Sequence, residues 1–408
     1  MSRPTTHPTP RLVRAPELGL EEALAAHATA HVERFGPGEV RTFFSPGRVN
    51  LFGGHLDYNG GPVMPTAIDR GTFVALRRRD DGVVRMVSVF DDEAFEGALD
   101  ALPDAPCGRW FDYPLGVVRA LRSIPETLLD SGFEITFGGN LPVGAGLSSS
   151  ASITVGTAFA LDHVFGLRLE PVERVAAALD AERGFVGVQC GIMDPYAVGF
   201  ARPRHVLWLD CKDESFEHLP LDFERLVIGV FDTGVQRELA RSEFNRRVAE
   251  CRAAFDGLRA HAPDARVLRD VPLETVEAHA DALEPSVAKR ALHVAREVRR
   301  TFAARDALLV EDFEAMGRAM LETHASFQDL YECSCAELDA IVDAAAGVEG
   351  VFGARLTGAG FGGCVVALME AGAEDRALAE VGAAYQRAHG RRPAAAFFRG
   401  DSGPRAVS

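Results

Sequence analysis

The feature that constrains this chain most is a glycine loop between a predicted strand and a predicted helix. The strand, Phe133–Phe137, leads into residues 138–146, and Ser148–Ser150 then open a helix that runs through Ala160. Glycines let the backbone approach a ligand closely, and the unpaired N–H groups at a helix N-terminus carry a partial positive charge. The loop therefore predicts a phosphate site. A turn with a capping serine explains the segment equally well when it is taken alone.

A second glycine loop lies between two predicted strands near the C-terminus. Gly358, Gly360 and Gly363 spell G-x-G-x-x-G, bracketed by strands over Ala354–Leu356 and Val365–Leu368. A dinucleotide-binding loop is followed by a helix, so the strand that follows here excludes that fold. The loop can lie against phosphates or support the first loop, although a hairpin-like turn is the simpler interpretation of the segment alone.

Polar side chains that suit a hydroxyl-rich ligand are concentrated between residues 44 and 61. They are Arg48, Asn50, His55, Asp57, Tyr58 and Asn59. A polar loop with Asx turns is the alternative interpretation.

Two carboxylates further along the chain are ambiguous. Asp194 immediately precedes Pro195, so locally it is typical of a helix N-cap with proline at the first helical position. Glu182 alone is typical of an exposed helical carboxylate.

Composition limits how a phosphate could be held. Lysine occurs only at Lys212 and Lys289, and neither stands in a G-K-[ST] context, so the chain has no Walker A loop. A phosphate clamp must therefore use backbone amides, arginine and magnesium. The formal charge of −16 argues against nucleic acid or an anionic membrane as a partner but does not exclude a nucleotide.

A length of 408 residues predicts two domains. Strands and helices alternate without a regular βαβ rhythm, which predicts an α+β fold. The polar stretch Cys211–Arg225 separates predicted strands at Val206–Asp210 and Leu226–Phe231, and it is the candidate boundary. We expect a leader and first helix over 1–38, one domain over 39–220 and a second, helix-rich domain over 221–408. The predicted helices are residues 21–35, Pro171–Arg183, Gln236–His261, Leu273–His279, Ser286–Arg305 and Val310–Leu330.

The remaining composition predicts a cytoplasmic protein. No apolar run reaches the ~20 residues of a membrane span, and the polar, proline-rich start predicts disorder rather than a signal peptide. The seven cysteines are odd in number and scattered, which favours buried, reduced thiols and a reducing compartment. His27 and His31 stand four apart but lack the H-E-x-x-H glutamate, so we interpret them as ordinary helix-face histidines.

Taken together and in this order, the segments resemble the galactokinase branch of the GHMP small-molecule kinases. The matching runs are Ser45-Pro-Gly-Arg-Val-Asn-Leu-Phe-Gly, His55-x-Asp57-Tyr-Asn-Gly-Gly, Pro142-Val-Gly-Ala-Gly-Leu-Ser-Ser-Ser-Ala-Ser, Cys190-Gly-Ile-Met-Asp and Leu356-Thr-Gly-Ala-Gly-Phe-Gly-Gly-Cys. Shorter runs that begin at Ser242, Ala291 and Tyr331 also resemble this branch in place and order. The resemblance covers Phe35 to Phe398, nearly the whole chain.

This resemblance implies an ATP-dependent kinase that phosphorylates the anomeric hydroxyl of galactose or a galactose-like sugar. It implies an N-terminal mixed α/β domain and a ferredoxin-like C-terminal domain, with the active site between them. The implied catalytic residues are Arg48 and Asp194, which would flank that hydroxyl, and the other implied sugar contacts are His55, Asp57, Gly191 and Phe244. The implied ATP contacts are Pro142, Gly144, Ala145, Gly146, Leu147, Ser148, Ser149, Ser150 and Ala151, with Trp110 near the nucleotide. Ser150 and Glu182 would hold Mg²⁺.

The chain departs from the family pattern at three positions. Gly54 replaces the glutamate that bonds the sugar 6-hydroxyl in galactokinases, Phe244 replaces a tyrosine, and Pro195 replaces a glutamine. A site that loses a hydrogen-bond partner loses selectivity for the group it contacted. Galactose is nevertheless the first expectation for the substrate, because the rest of the chain resembles galactokinases so closely. A variant at C6 or C4, such as L-arabinose or galacturonate, is the alternative.

A catalytically silent sugar sensor is the rival from another class. It is disfavoured because Ser149–Ala151, Glu182 and Asp194 are all present. The expected partners are the sugar and ATP, without nucleic acid or membrane. The oligomeric state cannot be determined from the sequence, and a monomer is favoured.

Overall fold

The computed structural model describes residues 19–125, 127–142, 146–235 and 240–407. Its helices are α1 (Leu20–Phe35), α2 (Asp112–Ser123), α3 (Ser149–Phe165), α4 (Pro171–Asp180), α5 (Met193–Gly199), α6 (Ala240–Leu258), α7 (Leu273–His279), α8 (Pro285–Leu309), α9 (Phe313–Asp329), α10 (Ala336–Ala346) and α11 (Glu374–His389). Its strands are β1 (Arg41–Asn50), β2 (Pro62–Val63), β3 (Pro65–Arg78), β4 (Val83–Ser88), β5 (Asp91–Ala98), β6 (Phe133–Gly139), β7 (His205–Asp210), β8 (Phe216–Pro220), β9 (Leu226–Asp232), β10 (Val351–Thr357), β11 (Cys364–Glu370), β12 (Ala394–Phe398) and β13 (Arg405–Ala406).

The first sheet has the strand order β13-β1-β3-β6-β4-β5, and because β4 pairs parallel to β6 it is mixed. Alternation along β1 places neighbouring residues on opposite faces. Phe43 packs with residues of α2 and α3, whereas Phe44 joins Leu24 of α1. Helices therefore cover both faces of this sheet.

The second sheet has the order β10-β11-β9-β12 and is antiparallel throughout. When β9, β10, β11 and β12 are counted as strands 1 to 4, the order read from the β12 edge is 4-1-3-2. Helices α6–α10 lie between β9 and β10, and α11 lies between β11 and β12. This is the ferredoxin-like arrangement that the family resemblance implies. A third, three-stranded sheet has the order β2-β7-β8. The predicted α+β fold is therefore confirmed.

The predicted boundary region is more ordered than the sequence indicates. The polar stretch Cys211–Arg225 contains β8, a strand that the sequence does not predict and that pairs with β7. Strand β9, the first of the second sheet, follows it. The chain later returns to the first sheet, because β13 pairs with β1. The domain division at residue 220 stays a prediction.

Several elements differ from expectation for local reasons. Strand β5 is rich in charge, and β12 is rich in alanine, a poor strand former, so neither is predicted from sequence. Helices α10 and α11 are also missed. The helix predicted to reach Arg183 ends at Asp180 and continues as a π-helical turn, Ala181–Val186. Residues 236–239, predicted to open α6, lie outside the described residues, as does the leader over 1–18.

His27 and His31 are buried and attach α1 to β6. His27 Nε2 pairs with the Thr136 carbonyl at 3.0 Å, and His31 Nδ1 pairs with the Thr136 hydroxyl at 2.8 Å. All seven cysteines are free, but only Cys251, Cys333 and Cys364 are buried, and Cys107 is exposed. Among the described residues, no helix combines the length and apolar character that crossing a membrane requires.

Candidate active site

An arginine–aspartate pair lies at the centre of the site. Arg48 Nε and Nη2 donate to the two carboxylate oxygens of Asp194 at 2.7 and 2.8 Å, a bidentate geometry. The register of β1 shifts between Pro46 and Arg48, and such bulges re-aim the side chains beside them. The shift occurs at Gly47, where a Cβ would lie 2.8 Å from the Leu147 carbonyl oxygen, so β1 can approach the first glycine loop only with glycine there.

Asp194 is not the N-cap that its local sequence indicates. Ile192 occupies that position, and Asp194 lies in the first turn of α5 without capping it. Its carboxylate is instead bound by Arg48 and by the hydroxyl of Ser148. The tertiary partners therefore override the local preference.

The first glycine loop enters α3 through a strained residue. Ser148 adopts the left-handed conformation, with φ of +58°, and its side chain does not cap the helix. Ser149 and Ser150 follow, half-buried, in the first turn of α3. The predicted phosphate contacts Gly144 and Ala145 lie outside the described residues, whereas Pro142 and Leu147 are described beside them.

The two glycine loops meet. A Cβ built on Gly146 would lie 3.8 Å from the Cα of Gly358, which is van der Waals contact. Arg48 Nη1 also donates to the Gly146 carbonyl at 2.7 Å. The second glycine loop therefore lies beside the first, and Arg48 connects the first loop to Asp194.

Glu182 is buried and not the exposed carboxylate that its local sequence indicates. It lies in the π-helical turn after α4, only 3% exposed, and accepts a hydrogen bond from the Thr154 hydroxyl at 3.3 Å. Ser150 is a second hydroxyl partner. Burial, and secondarily the nearby charge of Asp194, raise the pKa of Glu182 to about 7.

Asp57 lies against Gly191. A Cβ on Gly191 would lie 1.8 Å from Asp57 Oδ2, so only glycine permits this approach. Burial, with the charge of Asp194 next, raises the pKa of Asp57 to about 6. The carboxylates of Asp57 and Glu182 thus both lie near Asp194. Arg48 binds Asp194 and its charge also acts on Asp57, whereas Arg183 is the cation near Glu182.

His55 lies in an aromatic cage. Its ring packs against Tyr58, Phe244, Phe327 and Tyr331, with centroid distances between 4.6 and 6.0 Å. Nδ1 pairs with the Tyr58 hydroxyl at 2.8 Å, and Nε2 is buried, with the Ala359 backbone beside it but outside hydrogen-bond geometry. Burial lowers the pKa of His55 to about 3. Direct contacts of His55 and Phe244 with a sugar stay predictions.

Gly54, the main departure from the family pattern, has a structural counterpart. A Cβ there would lie 2.6 Å from Phe327 Cζ and 3.1 Å from Arg355 Nη1. Phe327 is buried, so a side chain at position 54 requires this ring to move. The ring of Phe327 therefore occupies the space that a side chain at position 54 would need.

Trp110 precedes α2, where its indole nitrogen donates to the Glu93 carbonyl at 3.0 Å and its ring packs against Phe137. Phe137 belongs to β6, the strand that leads into the first glycine loop. A position near the nucleotide stays a prediction for Trp110.

Sequence reasoning missed Arg355, which connects the strand before the second glycine loop to the end of β1. It is buried and donates to the carbonyls of Asn50 and Leu51 at 2.7 and 2.8 Å. Its only signal in the sequence is a position just before the second glycine loop. The contact between Ser148 and Asp194 was also missed, because 46 residues separate them.

Three family models match the chain. They are the galactokinase galactose-binding signature over residues 29–78, the GHMP kinase N-terminal domain over 112–202 and the GHMP kinase C-terminal domain over 304–387. The first spans Arg48 and Asp57, and the second spans Ser148–Ser150, Glu182 and Asp194.

Curated relatives and solved structures agree with these matches. The chain is 38% identical to a galactokinase of Streptococcus thermophilus over 88% of this chain and 93% of that protein, and 37% identical to one of Bacillus subtilis over 94% and 97%. The crystal structure of Lactococcus lactis galactokinase complexed with galactose has a TM-score of 0.89 and 33% identity, covering 94% of this chain and 100% of that chain. A Methanococcus jannaschii mevalonate kinase, at 20% identity and a TM-score of 0.65, is similar in fold alone.

Proposed function

The chain belongs to the galactokinase family of the GHMP kinases, and from this premise we propose how its site carries out the reaction. It is an ATP-dependent sugar kinase that acts on galactose. We propose that the γ-phosphate goes to the anomeric hydroxyl, next to the pair formed by Arg48 and Asp194. That bidentate pair, attached to the phosphate loop through Gly146, is the observation that carries the proposal.

The ATP phosphates lie at the start of α3 in this proposal. The N–H groups of its first turn have no helical partner, and the hydroxyls of Ser149 and Ser150 are half-buried beside them. Arg48, at the carbonyl of Gly146, places positive charge at the same loop. These donors can replace the lysine of a Walker A loop.

The residues around Glu182 fit a magnesium ion. A buried carboxylate whose pKa is raised to about 7 is stabilised in its charged form by a cation, and hydroxyl and carboxylate oxygens are the ligands that Mg²⁺ prefers. Ser150 and Glu182 would hold it, as predicted. When bound, the ion neutralises charge on the phosphate oxygens of ATP.

Asp194 has room for one more donor. A carboxylate offers about four lone-pair positions. Two of them accept from Arg48 and one accepts from Ser148, which leaves one on Oδ1. The anomeric hydroxyl donates there, which aims its oxygen at the γ-phosphorus. As this oxygen bonds to phosphorus, its proton passes to Asp194, the bond from the γ-phosphorus to the β–γ bridging oxygen breaks, and ADP leaves.

Arg48 and Asp57 complete the arrangement. Arg48 offsets negative charge that spreads over the transferred group, the main requirement of a loose phosphoryl-transfer transition state. Asp57, held against Gly191, accepts from ring hydroxyls of the sugar. Binding both substrates in this geometry supplies the positioning on which the rate depends.

The alternative substrates and the silent sensor are not favoured, since galactokinases match over most of the chain. The departure at Gly54 supports a finer proposal, weak selection at C6. The space of a side chain at position 54 is filled by the apolar ring of Phe327, and Phe244 likewise offers no hydroxyl. We also propose a monomeric, cytoplasmic protein without nucleic-acid or membrane partners. The seven free cysteines support a reducing compartment, and the net charge of −16 argues against nucleic-acid and membrane partners.

The test is ADP release with MgATP across galactose, 6-deoxygalactose, L-arabinose, galacturonate and glucose. We expect turnover on galactose and a similar rate on 6-deoxygalactose. The Asp194→Asn variant should retain ATP binding and lose activity by at least about 1,000-fold, since it removes the proton acceptor. Absence of turnover on galactose would overturn the function, and strong preference for galactose over its 6-deoxy form would overturn only the C6 proposal.

A further inference from the structure

A buried chain of polar groups connects the predicted sugar loop to the second half of the molecule. His55 Nδ1 pairs with the Tyr58 hydroxyl at 2.8 Å, and that hydroxyl pairs with the Tyr331 hydroxyl at 2.5 Å. The Tyr331 hydroxyl lies 3.4 Å from the sulfur of Cys251 on α6. The proposed transfer step uses neither tyrosine, so a different role must be sought for these hydrogen-bonded side chains.

The direction of the hydrogen bonds follows from the acceptors. An imidazole nitrogen is a better acceptor than a phenol oxygen, and a thiol is weak in either role. Tyr58 therefore donates to His55, and Tyr331 donates to Tyr58. Burial raises the pKa of both phenols well above the usual range, so both keep the protons that this direction requires.

Tyr331 is the fixed end of this chain. Its side chain is fully buried, its carbonyl accepts from Arg247 Nε at 2.8 Å, and the guanidinium of Arg290 lies 5.8 Å from its ring centroid. Arg290 also donates to the carbonyl of Leu330. The hydroxyl of Tyr331 consequently has a set position.

Tyr58 is the residue that the hydroxyl of Tyr331 holds in place. It lies in a three-residue turn, Asp57–Asn59, and its side chain is only half-buried. Asp57 directly precedes it and must stay against Gly191, where a Cβ of that glycine would lie 1.8 Å from the carboxylate. A hydroxyl that fixes the Tyr58 ring therefore also fixes the turn that carries Asp57.

We propose that Tyr331 is a positioning residue for the sugar, which acts through Tyr58 to hold Asp57 in its binding position. This rests on the proposed function, in which Asp57 accepts from the sugar hydroxyls. Tyr331 lies just beyond the C-terminal end of α9, outside both glycine loops. Tyr331 thus sets the affinity for galactose without contacting the sugar.

The test compares two buried tyrosines that each lose one hydroxyl. Tyr331→Phe should raise KM for galactose about fivefold, the value of one neutral hydrogen bond, with kcat and KM for ATP nearly unchanged. Tyr385→Phe is the matched control, because Tyr385 is also fully buried and donates to the Thr233 carbonyl at 2.8 Å. The control should lower Tm to a similar extent and leave KM for galactose unchanged.

A double-variant cycle shows whether Tyr331 acts through Tyr58. The pair Tyr58→Phe with Tyr331→Phe should raise KM for galactose no more than Tyr58→Phe alone. Additive effects, an equal change in KM for ATP or an equal effect of Tyr385→Phe would overturn the proposal. Calorimetric Kd values for galactose without ATP give the same comparison independently of turnover. If the wild type shows no turnover but the Kd values change as expected, the result counts against the proposed function and not against the positioning role of Tyr331.

Discussion

At the scale of single residues, Arg48 has the most demanding position. Its guanidinium binds both oxygens of Asp194 and the carbonyl of Gly146, so one side chain links the predicted sugar and phosphate sites. It is nearly buried, with 8% of its side chain exposed. Lysine, with a single ammonium, cannot reproduce the planar fork that this geometry uses.

We therefore expect Arg48→Lys to lower kcat by about 100-fold or more, since it removes oriented charge from the transition state. Steady-state kinetics with galactose and MgATP measure this. Arg174→Lys is the matched control, because Arg174 also pairs with a carboxylate, Asp162 at 2.6 Å, and is 19% exposed. A kcat for Arg48→Lys close to that of the control would contradict the assigned role.

The carboxylates of the site predict an acid limb in the pH profile. The pKa is about 7 for Glu182 and about 6 for Asp57, and both are needed ionised. As pH falls, Glu182 is protonated first, so kcat/KM should decline below about pH 7 and more steeply below about pH 6. Because a cation competes with the proton, higher Mg²⁺ should move the first decline to lower pH.

Profiles of kcat/KM for ATP at low and high Mg²⁺ measure both effects. Glu182→Gln should remove the decline near pH 7 and leave the one assigned to Asp57. A profile that is flat to pH 5 at low Mg²⁺ would show that neither carboxylate controls activity in this range.

At the scale of elements, the entry to α3 combines strain with function. Ser148 holds a left-handed conformation, which costs an L-residue about 1–2 kcal/mol, while its hydroxyl reaches Asp194. Glycine would relieve the strain, and alanine would not.

Two substitutions separate these effects. Ser148→Gly and Ser148→Ala should lower kcat alike, because each removes the same hydrogen bond to Asp194. The glycine variant should be more stable than the alanine variant by about 1 kcal/mol. Urea unfolding and steady-state kinetics on the two proteins provide the comparison, and equal stability would show that the conformation is not strained.

Sequence patterns predicted elements and contiguous motifs well, and contacts between distant segments poorly. The strand, glycine loop and helix around Ser148 follow from local signals, whereas the arrangement of the sheets is implied only by the family resemblance. Glu182 was interpreted as exposed because nothing local shows that a π-helical turn places it beneath α3. Asp194 was interpreted as a cap because its partners lie 46 and 146 residues away.

At the scale of the whole molecule, a buried arginine joins the two halves. Arg355 on β10 donates to the carbonyls of Asn50 and Leu51, some 300 residues earlier, and burial lowers its pKa to about 10. The backbone at Asn50 and Leu51 thus depends on a side chain from the second sheet. Replacing Arg355 would leave two buried carbonyls without donors.

We expect Arg355→Met to lower the free energy of unfolding by more than about 2 kcal/mol, since each orphaned buried acceptor costs about 1–3 kcal/mol. Arg376→Met is the control, since Arg376 forms an ion pair with Glu349 at 2.7 Å with 47% of its side chain exposed. Arg376→Met should lower the free energy of unfolding by less than about 1 kcal/mol. Denaturant unfolding decides between these values, and similar losses for the two variants would contradict the joining role.

The measurement that tests the central claim most directly is ³¹P NMR of the product formed from MgATP and galactose labelled with ¹³C at C1. The arrangement of Arg48 and Asp194 predicts a phosphorus signal coupled to the labelled anomeric carbon for the wild type, and none for Asp194→Asn. Phosphate on another carbon, or phosphate released from ATP without a sugar phosphate, would contradict the account.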